Sequence, residues 1–189
     1  MDLSSSWKYI VETAKIRYSN NRTQWHVNDY GIDKEVIGVA GEVVARRHLG
    51  LDEEVHLGFD GGVDITFCGI RIDVKATLLT PKFTYKFLQW AEGKPIKSDI
   101  IFLTAIDPIS MAGIPVGYAT RDAIGNAPVN KTRHIPCHEI PVRELHPDWE
   151  LLELGIKFME DVRCGVSQSQ PNLDENVKRC LELFDYFLL

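Results

Sequence analysis

No window of this chain approaches the roughly 18 consecutive apolar residues that a membrane-spanning helix requires. The opening stretch, MDLSSSWKYIVETAK, has no basic cluster followed by an apolar run, so a secretory leader is not expected. Four cysteines (Cys68, Cys137, Cys164 and Cys180) lie far apart and form no CxxC pair. That spacing suits free or buried thiols in a reducing cytoplasm, which is the expected compartment. GxSxG, the P-loop and GxGxxG are all missing, so acyl transfer and nucleotide-triphosphate chemistry have no support. Net positive charge is missing too: the balance is −6, which argues against a protein that coats nucleic acid non-specifically. It does not exclude local contact with phosphates by a few basic residues.

What is present is the composition of a soluble globular domain, 189 residues with 44% hydrophobic and 25% charged. The length favours one domain with a sizeable core. No internal repeat or low-complexity segment appears. Residues 3–19 read as a helix, with Ser4 to Ser6 available as caps and Trp7, Ile10, Val11 and Ala14 at helical spacing. A polar loop, SNNRTQWHVNDYG, follows. Residues 33–50 read as a second helix, capped by Asp33, with an apolar face of Val36, Ile37, Val39, Ala40, Val43 and Val44 and a stop signal at Gly50.

Downstream the period changes to two. VHLG (55–58) predicts a short strand, and VDITFCGIRIDVKA (63–76) predicts two strands joined at Cys68-Gly69. Residues 77–98 are broken by Pro81 and Pro95. DIIFLTAI (99–106) predicts a strand buried on both faces, with PVGYATRD (115–122) as its hairpin neighbour. Segment 125–147 reads as irregular, with one extended piece around HEIPV. NLDENVKRCLELFDYFLL, at the end, predicts an apolar helix that packs on the body or on another subunit. The sum is a mixed α/β (α+β) single domain, with a homodimer through that last helix among its expected partners.

The hairpin raises a chemical question. A two-residue turn at Cys68-Gly69 pairs Phe67 with Ile70, Thr66 with Arg71, Ile65 with Ile72 and Asp64 with Asp73. Side chains so opposed have Cβ atoms roughly 4.5–5.5 Å apart, where like charges repel. Two carboxylates there call for a raised pKa, a nearby ammonium or a divalent cation. Lys75 lies two residues along on the same face, and Mg²⁺ prefers one or two carboxylates with water and phosphate oxygens. A solvent-facing strand neutralised by Arg71 would carry the same residues without chemistry. Acid-x-lysine occurs twice, and only Asp73-Val74-Lys75 lies on a strand; Glu92-Gly93-Lys94 precedes Pro95 and reads as a turn.

Glu42 within GVAGEVVARRHLG, Asp64 within GFDGGVDI, and Asp73 with Lys75 within IRIDVKAT resemble, in order and context, the PD-(D/E)xK nuclease superfamily. The similarity covers residues 33–77. The proline of the family name is replaced by Val63, and the helix that usually follows the acid-x-lysine strand is not evident in 77–98. The resemblance implies a restriction-endonuclease-like core at about 33–122, a helix followed by a mixed central sheet with flanking helices, and an extension over 125–189. It implies Mg²⁺ or Mn²⁺ held by Asp64, Asp73 and the backbone carbonyl of Val74, with Glu42 completing the site directly or through water. Lys75 would orient the attacking water, and the reaction would be hydrolysis of phosphodiester bonds in DNA.

Arg46, Arg47, Lys82 and Lys86 are candidate phosphate contacts, and Phe83, Tyr85, Phe87 and Trp90 interleave with the lysines in a way that suits base stacking. On a helical wheel Glu42 lies away from the bulky apolar face, with Gly38 and Ala45 as neighbours that leave its carboxylate accessible. His134, Cys137 and His138 form an HxxCH cluster that lacks a fourth zinc ligand at a recognised spacing. The competing expectation is a catalytically silent nucleic-acid-binding or assembly protein of the same fold.

Overall fold

A computed structural model describes residues 1–21, 31–57, 62–79, 87–150 and 153. The first helical segment begins as a 3₁₀ turn over Ser4–Ser6 and continues as α1, Trp7–Asn21. The three serines thus form the entry turn, and no serine side chain caps the turn that they make. Leu3, Ile10, Thr13, Ala14 and Arg17 make the buried stripe of this segment. The second helix, α2, spans Gly31–His48, so it starts ahead of Asp33, which lies in the first turn and suits the helix dipole there. Gly50 ends it with φ +69°, a left-handed conformation that a side chain resists.

The strands are β1 (Ile65–Phe67), β2 (Ile70–Leu78), β3 (Phe87–Ala91), β4 (Ile100–Asp107) and β5 (Ala112–Thr120). A short helix, α3 (Arg121–Asn126), is capped by Thr120, whose side chain accepts from the Ala123 amide. Then come β6 (Val129–Asn130) and β7 (Cys137–Pro141). Residues 55–57 are not a strand, in contrast to the expectation for VHLG. The region expected to be irregular contributes two paired strands, and its extended piece at 138–141 falls in β7. The expected final helix lies outside the described residues.

Two sheets result. The first has the order β1-β2-β4-β5, and it is mixed: β1 and β5 run antiparallel to their neighbours while β2 and β4 are parallel. The second, β3-β7-β6, is antiparallel. Parallel neighbours need a crossover, and helices usually supply it. Among the described residues of the β2–β4 connection the only regular element is β3, which belongs to the second sheet.

α2 packs on one face of the mixed sheet. Val39, Ala40, Val43, Val44 and Ile106 join Leu3, Ile10 and Ala14 in one apolar cluster, while Ala45 and Leu49 join Ile65, Phe67, Ile72, Val74, Ile100 and Phe102 in another. The second sheet covers the opposite face: Leu88, Trp90 and Ile140 pack with Ile101, Leu103, Ala119 and Ile124. β4 is therefore buried on both sides along Ile100–Ile106, as its near-continuous apolar run predicts. The closest approach of α2 is at Gly41. A Cβ there would stand 2.4 Å from Ala76 Cβ and 2.6 Å from Thr104 Oγ1, so only glycine lets helix and sheet meet at this distance.

Candidate active site

The hairpin turn is as the sequence reads. Cys68 (φ +49°) and Gly69 (φ +79°) both take positive φ, the signature of a two-residue type I′ connection. The register follows: Phe67 opposite Ile70, Thr66 opposite Arg71, Ile65 opposite Ile72. There the ladder stops. Asp64 does not continue it as a partner of Asp73; its amide donates to the Ile72 carbonyl (2.9 Å) and its Oδ2 accepts from the Val74 amide (2.6 Å). The carboxylate thus replaces a backbone acceptor beyond the end of β1, which fixes it on the β2 edge. A strand residue sends its N–H and C=O toward the same neighbour. The Val74 carbonyl therefore leaves β2 on the side where Asp64 is anchored.

Asp73 and Lys75 point to the other face, and that face is not open to solvent as an ordinary exposed strand would be. Asp73 is only 2% exposed, and the Lys75 ammonium is hydrogen-bonded to its Oδ1. The Lys75 side chain is 36% exposed. Its ammonium sits 5.2 Å from the centroid of the Trp90 ring, whose other cationic neighbour is Lys94 at 4.6 Å. Trp90 is buried and its Nε1 donates to the Lys94 carbonyl (2.8 Å), so the ring is held in place. A carboxylate on one side and an aromatic face on the other constrain the lysine, and cation–π attraction there is worth about 0.5–2 kcal/mol.

Glu42 is buried, in contrast to the accessible carboxylate expected from its small neighbours. Its Oε1 and Oε2 accept from Nη1 (2.5 Å) and Nη2 (2.9 Å) of Arg17, and Arg17 Nε donates to the His56 carbonyl (2.6 Å). Both side chains are under a tenth exposed. Burial by itself would lower the Arg17 pKa, but the hydrogen bonds and charge of Glu42, with the charges of Asp64 and Glu35, raise it above the usual arginine value. Arg17 therefore stays charged with carboxylates about it. Burial pushes the Glu35 carboxyl up, and Arg17 offsets part of that rise. Removing one partner of such a buried pair costs about 3–5 kcal/mol, because the other is left uncompensated.

The basic candidates divide. Arg46 donates from Nη2 to the Asp64 carbonyl (3.3 Å) and lies 3.7 Å from Asp52, so it braces the segment leading into β1. Arg47 is spent on Glu53 (2.5 Å), the Ser6 hydroxyl (2.8 Å) and the Asp2 carbonyl, which ties the amino end to α2. Lys82 and Lys86 lie outside the described residues, as do Phe83 and Tyr85. Phe87 opens β3 and Trp90 is buried against Lys75, which leaves its ring covered where base stacking needs it exposed. Of the HxxCH cluster, Cys137 is buried and His138 Nδ1 lies 2.8 Å from the Ala127 carbonyl.

The candidate ligand atoms of Asp64, Asp73 and Val74 are all oxygens, which suits a hard cation such as Mg²⁺ or Mn²⁺. Two carboxylates flank the Val74 peptide, and the third, Glu42, is held by Arg17. Among the described residues no three His, Cys, Asp or Glu side chains gather closely enough to hold one metal ion. Of the residues that shape the site, Arg17 is not a candidate from sequence, and Trp90 enters there as a base-stacking ring and not as the neighbour of Lys75. Arg17 had a signal: it extends the buried stripe of Ile10, Thr13 and Ala14 by one turn, and an arginine in such a stripe needs a buried anion. No family model, curated protein or solved structure matches this chain. No helix among the described residues is long and apolar enough to cross a membrane.

Proposed function

We propose that this chain is a metal-dependent nuclease that hydrolyses phosphodiester bonds in DNA on a restriction-endonuclease-like core. The observation that carries the reading is the Asp64 carboxylate bound to the Val74 amide, next to the buried Asp73 and its half-exposed partner Lys75. An acid from the segment leading into β1, a strand carbonyl, a second acid and a lysine then gather about a single residue, Val74. Asp64, Asp73 and the Val74 carbonyl would hold the divalent ion. When bound, such an ion polarises the scissile phosphate and lowers the pKa of coordinated water. Lys75 orients the attacking water and offsets the charge that builds on the phosphorane-like transition state. Trp90 and Asp73 limit the positions its ammonium can take, which favours one orientation of that water.

The test is a panel of linear, nicked, branched and single-stranded DNA with Mg²⁺ or Mn²⁺. Cleavage is expected, and Lys75→Ala or Asp73→Asn should reduce it by a factor on the order of 10² or more. Circular dichroism would verify that both variants remain folded. Undiminished cutting by either folded variant removes the assignment. The alternative, a silent nucleic-acid-binding or assembly protein, is favoured by one observation: Glu42 and Asp73 each already carry an intramolecular cation. Calorimetry that shows DNA binding without uptake of divalent ions would select it.

A further inference from the structure

We infer that Arg17 is a positioning residue that keeps the Glu42 carboxylate out of the ligand shell, so that Asp64 and Asp73 are the only side-chain ligands of the divalent ion. This rests on the nuclease reading and goes beyond it by removing one of the three acids from the metal and assigning a role to a residue outside the motif.

Three observations carry the inference. Arg17 engages both Glu42 oxygens in fork geometry, and its Nε is fixed by the His56 carbonyl, so the guanidinium has three anchors, two on α2 and one on the chain that follows it. The pair is desolvated on both sides, and an ion that withdrew Glu42 would leave Arg17 buried without it. Mg²⁺ and Mn²⁺ retain water readily and gain little from a ligand that must first break such a pair. Independently, Glu42 does not gather with Asp64 and Asp73 into a set that could hold a metal. α1 thereby acts on the site although none of its residues belongs to the motif. Its guanidinium also interacts electrostatically with Asp64, which tempers the negative charge of the site.

Mn²⁺ binding to the full chain, followed by electron paramagnetic resonance of the free ion, tests this without reference to cleavage. Glu42→Gln should bind Mn²⁺ within about two-fold of wild type, while Asp73→Asn should lose about ten-fold or more. Arg17→Met should raise affinity about ten-fold, because Glu42 is released to the ion. The double variant Arg17→Met/Glu42→Gln should return to the wild-type value, and it should fold, since replacing both partners of a buried pair is often neutral. Should Arg17→Met fail to fold, Arg17→Lys keeps the charge without the fork and should show a smaller rise.

A merely structural pair would change thermal stability and leave Mn²⁺ affinity where it was. The inference is overturned if Glu42→Gln loses as much affinity as Asp73→Asn. It is equally overturned if the folded Arg17 variants bind Mn²⁺ as wild type does. A wild-type chain that takes up no Mn²⁺, or an Asp73→Asn chain that binds it undiminished, overturns the nuclease reading and this inference with it. The two failures are thus distinct.

Discussion

On one face of β2, Ile72, Val74 and Ala76 lie beneath α2; on the other, Asp73 and Lys75 lie toward Trp90 and the second sheet. The first face is filled by aliphatic contact and by the close approach at Gly41, with no charge involved. The second trades some of that packing for an ion pair set against an aromatic ring. Alternation along a single strand therefore separates holding the sheet from presenting charged groups, and each face depends on a different neighbour. Stability belongs mainly to the α2 side. Position of the lysine belongs to the second sheet.

The widest break in this comparison is on the α2 side. Gly41→Val would drive new atoms into Ala76 Cβ and Thr104 Oγ1, at distances no packed Cβ tolerates. Overpacking of this kind costs about 1–3 kcal/mol, with more expected where the opposing atoms belong to a sheet that cannot yield. Gly38, one turn earlier on the same helix, has nothing within 4 Å of its own added Cβ. Gly38→Ala should therefore stabilise by about 0.5–1 kcal/mol through helix propensity alone. Urea denaturation of the two variants should give opposite signs. Equal effects would mean that helix and sheet are not in the contact described.

Next in size is Trp90. Trp90→Leu should destabilise by about 2–3 kcal/mol as packing volume and the ring face are lost. The sharper measurement is a double-mutant cycle with Lys75→Met. Coupling of about 0.5–2 kcal/mol is expected between positions 75 and 90 if the ammonium is held against the ring. Coupling near zero would reduce Trp90 to an ordinary core residue, and Asp73 alone would then position the lysine.

How far the sequence reveals this arrangement depends on how local each part is. The turn at Cys68-Gly69 and the register through Ile65–Ile72 are short-range, and two-residue spacing with apolar alternation predicts them correctly. The double burial of β4 is legible for the same reason, as its apolar run has no polar face to show. What the pattern hides is set by distant neighbours. Extending the register to Asp64 fails because its side chain outcompetes the ladder for the Val74 amide. Glu42 reads as accessible from α2 alone, since Arg17 comes from α1. The polar face of β2 can be read as solvent-facing because β3, which brings Trp90 to it, follows a stretch broken by Pro81. The candidate residues and the Asp73–Lys75 pair are thus named by sequence, while the Arg17 partner of Glu42 is not.

The smallest expected effect lies at Arg71, two residues before Asp73 on β2, where charge is arranged without burial. Asp99 accepts from Arg71 through both oxygens (3.1 and 2.7 Å) and from Arg121 Nη2 (2.7 Å), and these partners hold its pKa down to about 2. The side-chain hydrogen bonds from Arg71 make the largest contribution, and burial opposes them. A carboxyl depressed in the folded state stabilises above its unfolded pKa, near 3.8, and that contribution disappears as pH falls toward 2. Asp99 is 39% exposed, so solvent screens the pair and the net contribution at neutral pH is about 0–1 kcal/mol. Asp99→Asn should accordingly flatten the stability profile between pH 4 and pH 2 by a few tenths of a kcal/mol, about the scale of an exposed ion pair. Added salt should shrink the difference. An effect larger than that of Trp90→Leu would mean that this exposed triad, and not the covered face of β2, carries the electrostatics of the sheet. The contrast between the covered and the exposed charges of the strand would then be reversed.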